Sequence, residues 1–103
     1  MRKKTTILLL AISILCSITI GCVADTHEGA VLFEKERCIN CHTFKGQGAQ
    51  IGPDLTDIAK RRSDEWIRDQ IRNPKLHFPN PRMPGHEYLS RKQINSIIKY
   101  LKS

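Results

Sequence analysis

The sequence predicts an all-α domain of about four short helices joined by glycine- and proline-rich loops. No stretch shows the sustained alternation of apolar and polar residues that is typical of strands. Residues 43–53 hold three of the six glycines, and residues 74–84 hold four of the five prolines. The clearest helix follows a capping box at Ser90 and Gln93, after which apolar residues recur at helical spacing, namely Ile94, Ile97, Ile98 and Leu101.

Three further helices are predicted upstream of this one. The stretch EGAVLFEKER, residues 28–37, is rich in strong helix formers, and we expect a polar tether over residues 25–28 before it. DLTDIAKRR, residues 54–62, ends in basic residues that complement the helix dipole. Another helix is predicted to start at the N-cap Ser63 and to end before Pro74, beyond which the prolines exclude helix as far as residue 84.

The first 24 residues have the composition of an export signal or a membrane anchor, because three basic residues precede an apolar run over residues 7–20. TIGC resembles a lipoprotein signal with lipidation at Cys22, whereas CVA suits cleavage after Ala24. Uncleaved, residues 5–24 reach the ~20 residues that span a bilayer. In each case residues 25–103 form one domain outside the cytoplasm, tethered to the membrane unless the chain is cut after Ala24.

The charge of the chain favours partners with acidic docking surfaces over nucleic acid. The formal net charge is +7, and since three basic residues belong to the first 24 residues, residues 25–103 carry +4. The only basic run within residues 25–103 is residues 60–62, which lacks interleaved aromatics and is interpreted as a solvated helix end. No catalytic base or nucleophile stands out, so neither an enzyme nor a small-molecule substrate is expected.

The motif RCINCHTF places Cys38, Cys41 and His42 in the C-x-x-C-H pattern of c-type haem attachment. The two thiols can add to the two vinyl groups of one haem, and the adjacent imidazole can bind its iron. A disulfide would leave the histidine unexplained, a redox dithiol needs a βαβ context, and a zinc site needs four ligands. A domain of this size is also marginal without a cofactor in its core.

Met83 is the candidate for the second axial ligand of the iron. It is the only methionine after the initiator, and it lies between Pro81 and Pro84 in a polar loop, where a merely space-filling methionine is unusual. His77 and His86 are the rivals, each otherwise expected to be an exposed loop histidine.

Two further residues are predicted to contact this cofactor or its ligand. The backbone carbonyl of Pro53 is the candidate acceptor for the ring N–H of His42, with an ordinary glycine-proline turn as the alternative. Trp66 is the candidate donor to a haem propionate, with plain core packing as the alternative. The predicted pocket wall consists of Ile51, Leu55, Ile58, Ile71, Leu76, Phe78, Ile94 and Ile98.

Taken together, these residues resemble the class I monohaem c-type cytochromes over about residues 29–101. GAVLFEKERCINCH is similar to the family's first helix and haem motif, with Gly29 and Phe33 matching the pair that packs on the terminal helix near Tyr100. GPDL resembles the loop that supports the ligand histidine, RMPG the distal methionine loop, and INSIIKYL the terminal helix. The resemblance implies the cytochrome c fold with one covalent haem c, whose iron has histidine and methionine ligands.

The expected function is therefore single-electron transfer in a respiratory or related redox chain. A second expectation is an electron-donating subunit of a larger oxidoreductase, because the spacing of the motifs is similar to that in cytochrome subunits of nitric oxide reductase and some terminal oxidases. A third is a haem-based sensor or peroxidase-like enzyme in which Met83 is displaced from the iron.

Overall fold

The computed structural model describes residues 24–103, which form four α-helices, two 3-10 turns and one small hairpin. The mainly helical prediction is confirmed, although the predicted loop after the cysteines contains two paired strands of two residues each. The helices are α1 (residues 24–35), α2 (Ile58–Arg61), α3 (Asp64–Arg72) and α4 (Arg91–Leu101). The 3-10 turns are Cys38–Asn40 and Pro74–Leu76, and the antiparallel strands are β1 (Thr43–Phe44) and β2 (Gln47–Gly48).

Helix α1 begins earlier than the sequence suggested, so the prediction of a polar tether over residues 25–28 is wrong. These residues are helical because they are docked on α4. The ammonium group of Lys99 donates to the carboxylate of Asp25 over 2.5 Å, and the hydroxyl oxygen of Ser96 lies 3.4 Å from a carboxylate oxygen of Glu28. The predicted leader, apart from its last residue, and the predicted lipidation at Cys22 lie outside the described residues. Within residues 24–103, every helix is too short or too polar to cross a bilayer.

The predicted helix over residues 54–62 shrinks to the single turn of α2. The carboxylate of Asp54 accepts hydrogen bonds from the backbone N–H of Thr56 over 2.8 Å and from its hydroxyl over 2.6 Å. This side-chain turn competes with helix formation, so the helix begins later in the sequence than predicted.

Helix α3 has the predicted boundaries. The hydroxyl of Ser63 accepts from the backbone N–H of Trp66 over 3.1 Å and caps the helix, which ends before Pro74. The exclusion of helix from residues 74–84 is wrong at Pro74–Leu76, where one 3-10 turn forms with its proline in the first position.

Helices α1 and α4 pack closely enough that only glycine fits at one point of their contact. A Cβ atom on Gly29 would fall on the carbonyl oxygen of Ser96 and lie 2.8 Å from the Cβ atom of Tyr100. The rings of Phe33 and Tyr100 lie 5.6 Å apart, as the resemblance predicted. The core on either side of this contact consists of Leu32, Phe33, Phe44, Ile67, Ile71, Leu89, Ile94, Ile97, Ile98 and Leu101.

The substitution Gly29→Ala is expected to destabilise the fold by about 1–3 kcal/mol, the usual cost of overpacking. This cost exceeds the gain of about 1 kcal/mol that alanine brings to a helix interior. Chemical denaturation of the holoprotein measures the change, with the exposed Glu34→Ala on the same helix as control. Equal or higher stability of Gly29→Ala would contradict the close contact of α1 and α4.

Candidate haem site

The cysteine motif is held in one tight turn directly after α1. Arg37 adopts a left-handed conformation with φ 63° and ends the helix. In the 3-10 turn that follows, the carbonyl of Cys38 accepts from the backbone N–H groups of Cys41 over 3.1 Å and His42 over 2.9 Å. The turn therefore brings both thiols and the imidazole into one short segment.

The imidazole of His42 is fixed by the loop that follows the hairpin. Its Nδ1 atom lies 2.7 Å from the carbonyl oxygen of Pro53. A carbonyl can only accept, so Nδ1 carries the proton and Nε2 keeps the lone pair that can bind a metal. Gly52 permits this approach, because a Cβ atom there would lie 2.7 Å from Cε1 of the ring. The backbone N–H of Gly52 also donates to the carbonyl of Cys41 over 2.6 Å.

The two thiols of the motif are free rather than joined in a disulfide. Burial raises the pKa of the Cys38 thiol to about 11, so this group is protonated at neutral pH. A redox dithiol needs a thiol with a lowered pKa, and Cys38 shows the opposite. Within the part of the chain that the structure describes, no three of the His, Cys, Asp and Glu side chains are grouped to hold a metal ion. Both findings disfavour the dithiol and zinc hypotheses.

The donor set and its surroundings fit a covalently attached haem. The site offers two free thiols, an imidazole whose metal-binding nitrogen is available, and an apolar surface. Among the predicted wall residues, Ile71, Ile94 and Ile98 are buried in the core, and Leu55 and Ile58 pack against it. In contrast, Ile51 is 74% exposed, Leu76 63% and Phe78 49%, so these three predicted wall residues are buried only if a bound haem covers them.

Met83 is partly buried and packs against the same core cluster as Cys38 and Trp66. Its sulfur accepts a hydrogen bond from the side-chain amide of Gln70, with Nε2 and Sδ 3.6 Å apart. An open cleft of about 720 Å³ lies beside Met83 and is lined by the proline-rich loop and Tyr88. Cys38, Cys41 and His42 do not line this cleft, so its shape alone does not outline a haem pocket.

Trp66 is part of a stack of three side chains. The imidazole of His77 lies parallel to the indole, with ring centroids 4.3 Å apart and an angle of 6° between the planes. The guanidinium of Arg62 lies 4.5 Å from the indole centroid. The predicted contact of Trp66 with a haem propionate stays a prediction.

The two rival histidines are not exposed, so that part of the prediction is wrong. His77 is half-buried, and its Nδ1 lies 2.8 Å from the side-chain oxygen of Gln70. His86 is only 6% exposed, and its buried Nδ1 has no hydrogen-bond partner among the described residues. Its backbone N–H is shared between the carbonyls of Ile71 and Arg72, which pins this part of the loop to the end of α3.

Sequence reasoning missed two contacts of the methionine loop. Gln70 follows Trp66 by four residues on α3, which places both on one helix face but does not indicate the contact with the sulfur. The phenol of Tyr88 donates a short hydrogen bond to the carboxylate of Glu36, which raises the pKa of the phenol. No local pattern indicates this second contact, because it joins residues 52 positions apart in the sequence.

Comparison with known proteins gives one family and several relatives. The model of the family described as "Cytochrome c" matches residues 26–103. A cytochrome c of Cochliobolus lunatus is 34% identical over 98 aligned residues, which cover 75% of this chain and 90% of that protein.

Subunits of an oxidase and of a reductase are also similar to the chain. Cytochrome c oxidase subunit 2 of Alkalihalophilus pseudofirmus is 29% identical over 85 residues, and a nitric oxide reductase subunit of Stutzerimonas stutzeri is 28% identical over 80 residues. These alignments cover 75% and 73% of this chain, but only 25% and 55% of the two relatives, respectively.

Proposed function

Because the chain belongs to the cytochrome c family and so carries a covalently bound haem c, we propose that it transfers single electrons with His42 and Met83 as axial iron ligands. Cys38 and Cys41 would hold the haem through thioether bonds. The haem supplies an iron that cycles between the ferrous and ferric states. The remaining task of the chain is to hold both ligands in place, so that little reorganisation accompanies electron transfer.

The orientation of His42 carries this proposal. The hydrogen bond from Nδ1 to the carbonyl of Pro53 fixes the tautomer that leaves Nε2 available, and such an acceptor also raises the basicity of the ligand. The imidazole follows Cys41 directly, so that covalent attachment through Cys38 and Cys41 would bring the haem to this nitrogen. Met83 is proposed for the opposite side because its loop is stiffened by prolines and its thioether packs on the same core as Cys38.

A potentiometric titration of the purified holoprotein tests the proposed carrier function. We expect a single reversible one-electron transition and no carbon monoxide binding to the reduced protein, because both axial positions would be filled. Carbon monoxide binding at the reduced iron would instead favour the sensor or peroxidase-like hypothesis, in which Met83 does not stay bound.

A role as the electron-donating subunit of a larger oxidoreductase is the second candidate. The similarity to the nitric oxide reductase subunit and to cytochrome c oxidase subunit 2 favours it, although the chain spans about half and a quarter of those proteins. Purification from the native membrane in mild detergent distinguishes the two roles. A carrier runs alone as a haem protein, whereas a component of a larger enzyme copurifies with a catalytic partner.

We further propose that the protein works outside the cytoplasm, attached to the membrane through its first 24 residues. The basic start and the apolar run of that segment support this location. The excess of Lys and Arg in residues 25–103 supports partners with acidic docking surfaces. If so, the rate of electron transfer to such partners falls as salt is added.

Replacing Cys22 tests the mode of attachment. If this residue is lipidated, Cys22→Ser is expected to move the haem protein from the membrane fraction to the soluble fraction or to block its processing. Cys16→Ser, which changes a cysteine in the apolar run of the same segment, serves as control and is expected to stay in the membrane fraction. Equal membrane retention of both variants with the chain length of the wild-type protein would support an uncleaved helix anchor instead, because a blocked lipoprotein signal would leave a longer chain than the processed wild type.

A further inference from the structure

A continuous line of side-chain contacts leads from Trp66 to the sulfur of Met83. His77 is stacked on the indole of Trp66, and its Nδ1 lies 2.8 Å from Oε1 of Gln70. The other end of the Gln70 amide, Nε2, lies 3.6 Å from Sδ of Met83. Gln70 and His77 are both partly buried, so solvent competes little for these hydrogen bonds.

The amide of Gln70 can point either of two ways, and the sulfur receives a different group in each. With Oε1 toward His77, as observed, the sulfur faces an N–H donor. With the amide turned over, the sulfur would face a carbonyl oxygen, and two acceptors would meet. Because Oε1 can only accept, the observed orientation requires a proton on Nδ1 of His77. With its proton on Nδ1, His77 therefore favours the orientation in which the N–H end of the Gln70 amide contacts Met83.

Two other features of the site hold His77 in this position. Its ring has aromatic neighbours at its face and its edge, with Trp66 parallel at 4.3 Å and Phe78 nearly perpendicular at 6.5 Å between centroids. The 3-10 turn Pro74–Leu76 directly precedes His77, and the carbonyl of Pro74 accepts from its backbone N–H over 3.2 Å. The imidazole is thus restrained by packing on one side and by backbone geometry on the other.

The geometry points to His77 as a positioning residue for the Met83 sulfur, acting through the side-chain amide of Gln70. This inference rests on the proposed ligation of iron by Met83. Hydrogen bonds to a ligand atom are one of the means by which a protein tunes a haem. An N–H group aimed at the sulfur withdraws electron density from it and makes it a weaker donor. A weaker donor stabilises ferric iron less, and this loss of stabilisation is larger for ferric than for ferrous iron. The contact therefore raises the reduction potential.

The test is a double-mutant cycle on the holoprotein, read by the reduction potential and by the near-infrared band of ferric iron bound to methionine. Gln70→Leu removes the donor and is expected to lower the potential. His77→Phe keeps an aromatic ring against Trp66 but loses Nδ1, so the amide is free to turn. We expect a smaller shift in the same direction and a displaced near-infrared band.

The double variant separates a positioning role from a merely structural one. If His77 acts only through Gln70, adding His77→Phe to Gln70→Leu leaves the potential where Gln70→Leu alone puts it. Asn95→Ala is the matched control. It breaks the 2.9 Å hydrogen bond that Asn95 of α4 accepts from Arg68, a residue of α3 like Gln70, and it is expected to shift neither readout.

Two results would overturn the inference, and they differ from failure of the proposed ligation. One is a His77→Phe protein with the wild-type potential and band. The other is an effect of His77→Phe that persists at full size in the Gln70→Leu background. If the wild-type protein itself lacks the near-infrared band, Met83 is not the ligand, and the inference falls together with that part of the proposed function.

Discussion

Replacing Cys38 and Cys41 together with serine is expected to abolish covalent haem attachment completely. The two thiols are the only described cysteines, and serine hydroxyls do not form thioethers with the vinyl groups. Denaturing electrophoresis followed by haem staining measures the loss directly, because only covalently bound haem stays with the chain. Acid extraction into organic solvent gives the same information for any haem that remains.

We also expect the unfolding transition of the same double variant to be much less cooperative than that of the wild-type protein. The described residues have a core of ten apolar side chains, while Ile51, Leu76 and Phe78 stay exposed unless the haem covers them. Domains of this size are marginal without a cofactor or another cross-link. Cys16→Ser is the matched control and is expected to keep its haem. Haem that still migrates with the double variant would contradict attachment at this motif.

Replacing Met83 with leucine is expected to remove the near-infrared band and to lower the reduction potential substantially. Leucine has a similar volume and no sulfur, so the packing of the loop is preserved while the donor is lost. Axial ligands move haem potentials over a range of about 0.8 V, and we expect a fall on the order of 0.1 V or more.

Carbon monoxide binding provides the second readout for Met83→Leu. The reduced variant is expected to bind the gas at the vacated position, whereas the wild-type protein does not. His86→Ala serves as a control for the rival ligand, because His86 lies in the same loop and is buried. A variant at Met83 with an unchanged potential, or loss of the band in His86→Ala alone, would contradict the assignment of Met83.

The parts of the fold that depend on local chemistry were predictable from the sequence. The Ser63 cap and the capping box of Ser90 and Gln93 form as expected, because each satisfies backbone N–H groups within one turn. The start of α1 and the shortness of α2 were not predictable from the sequence. Residues 25–28 are helical through contacts with α4, and Asp54 binds Thr56 instead of extending a helix. Such competition between local and tertiary partners leaves no periodic signal.

The residues of the candidate site also fall into those that the sequence indicated and those that it did not. Cys38, Cys41 and His42 form a local motif, and the contact of His42 with Pro53 followed from the need of a ligand histidine for an acceptor. Met83 was predicted from its unusual proline-rich setting, and its ligation of the iron stays a prediction. Gln70 was not predicted, and His77 was considered only as a rival iron ligand, because their contacts depend on how α3 and the following turn meet the methionine loop. A glutamine at the right distance from a sulfur cannot be recognised from spacing alone.

The absorption spectrum of the purified protein in its reduced and oxidised forms tests haem attachment and ligation most directly. We expect the reduced spectrum of a covalently bound c-type haem and, in the ferric form, the weak near-infrared band of an iron–methionine bond. Absence of the c-type spectrum would contradict haem attachment at Cys38 and Cys41. A c-type spectrum without the near-infrared band would contradict ligation by Met83.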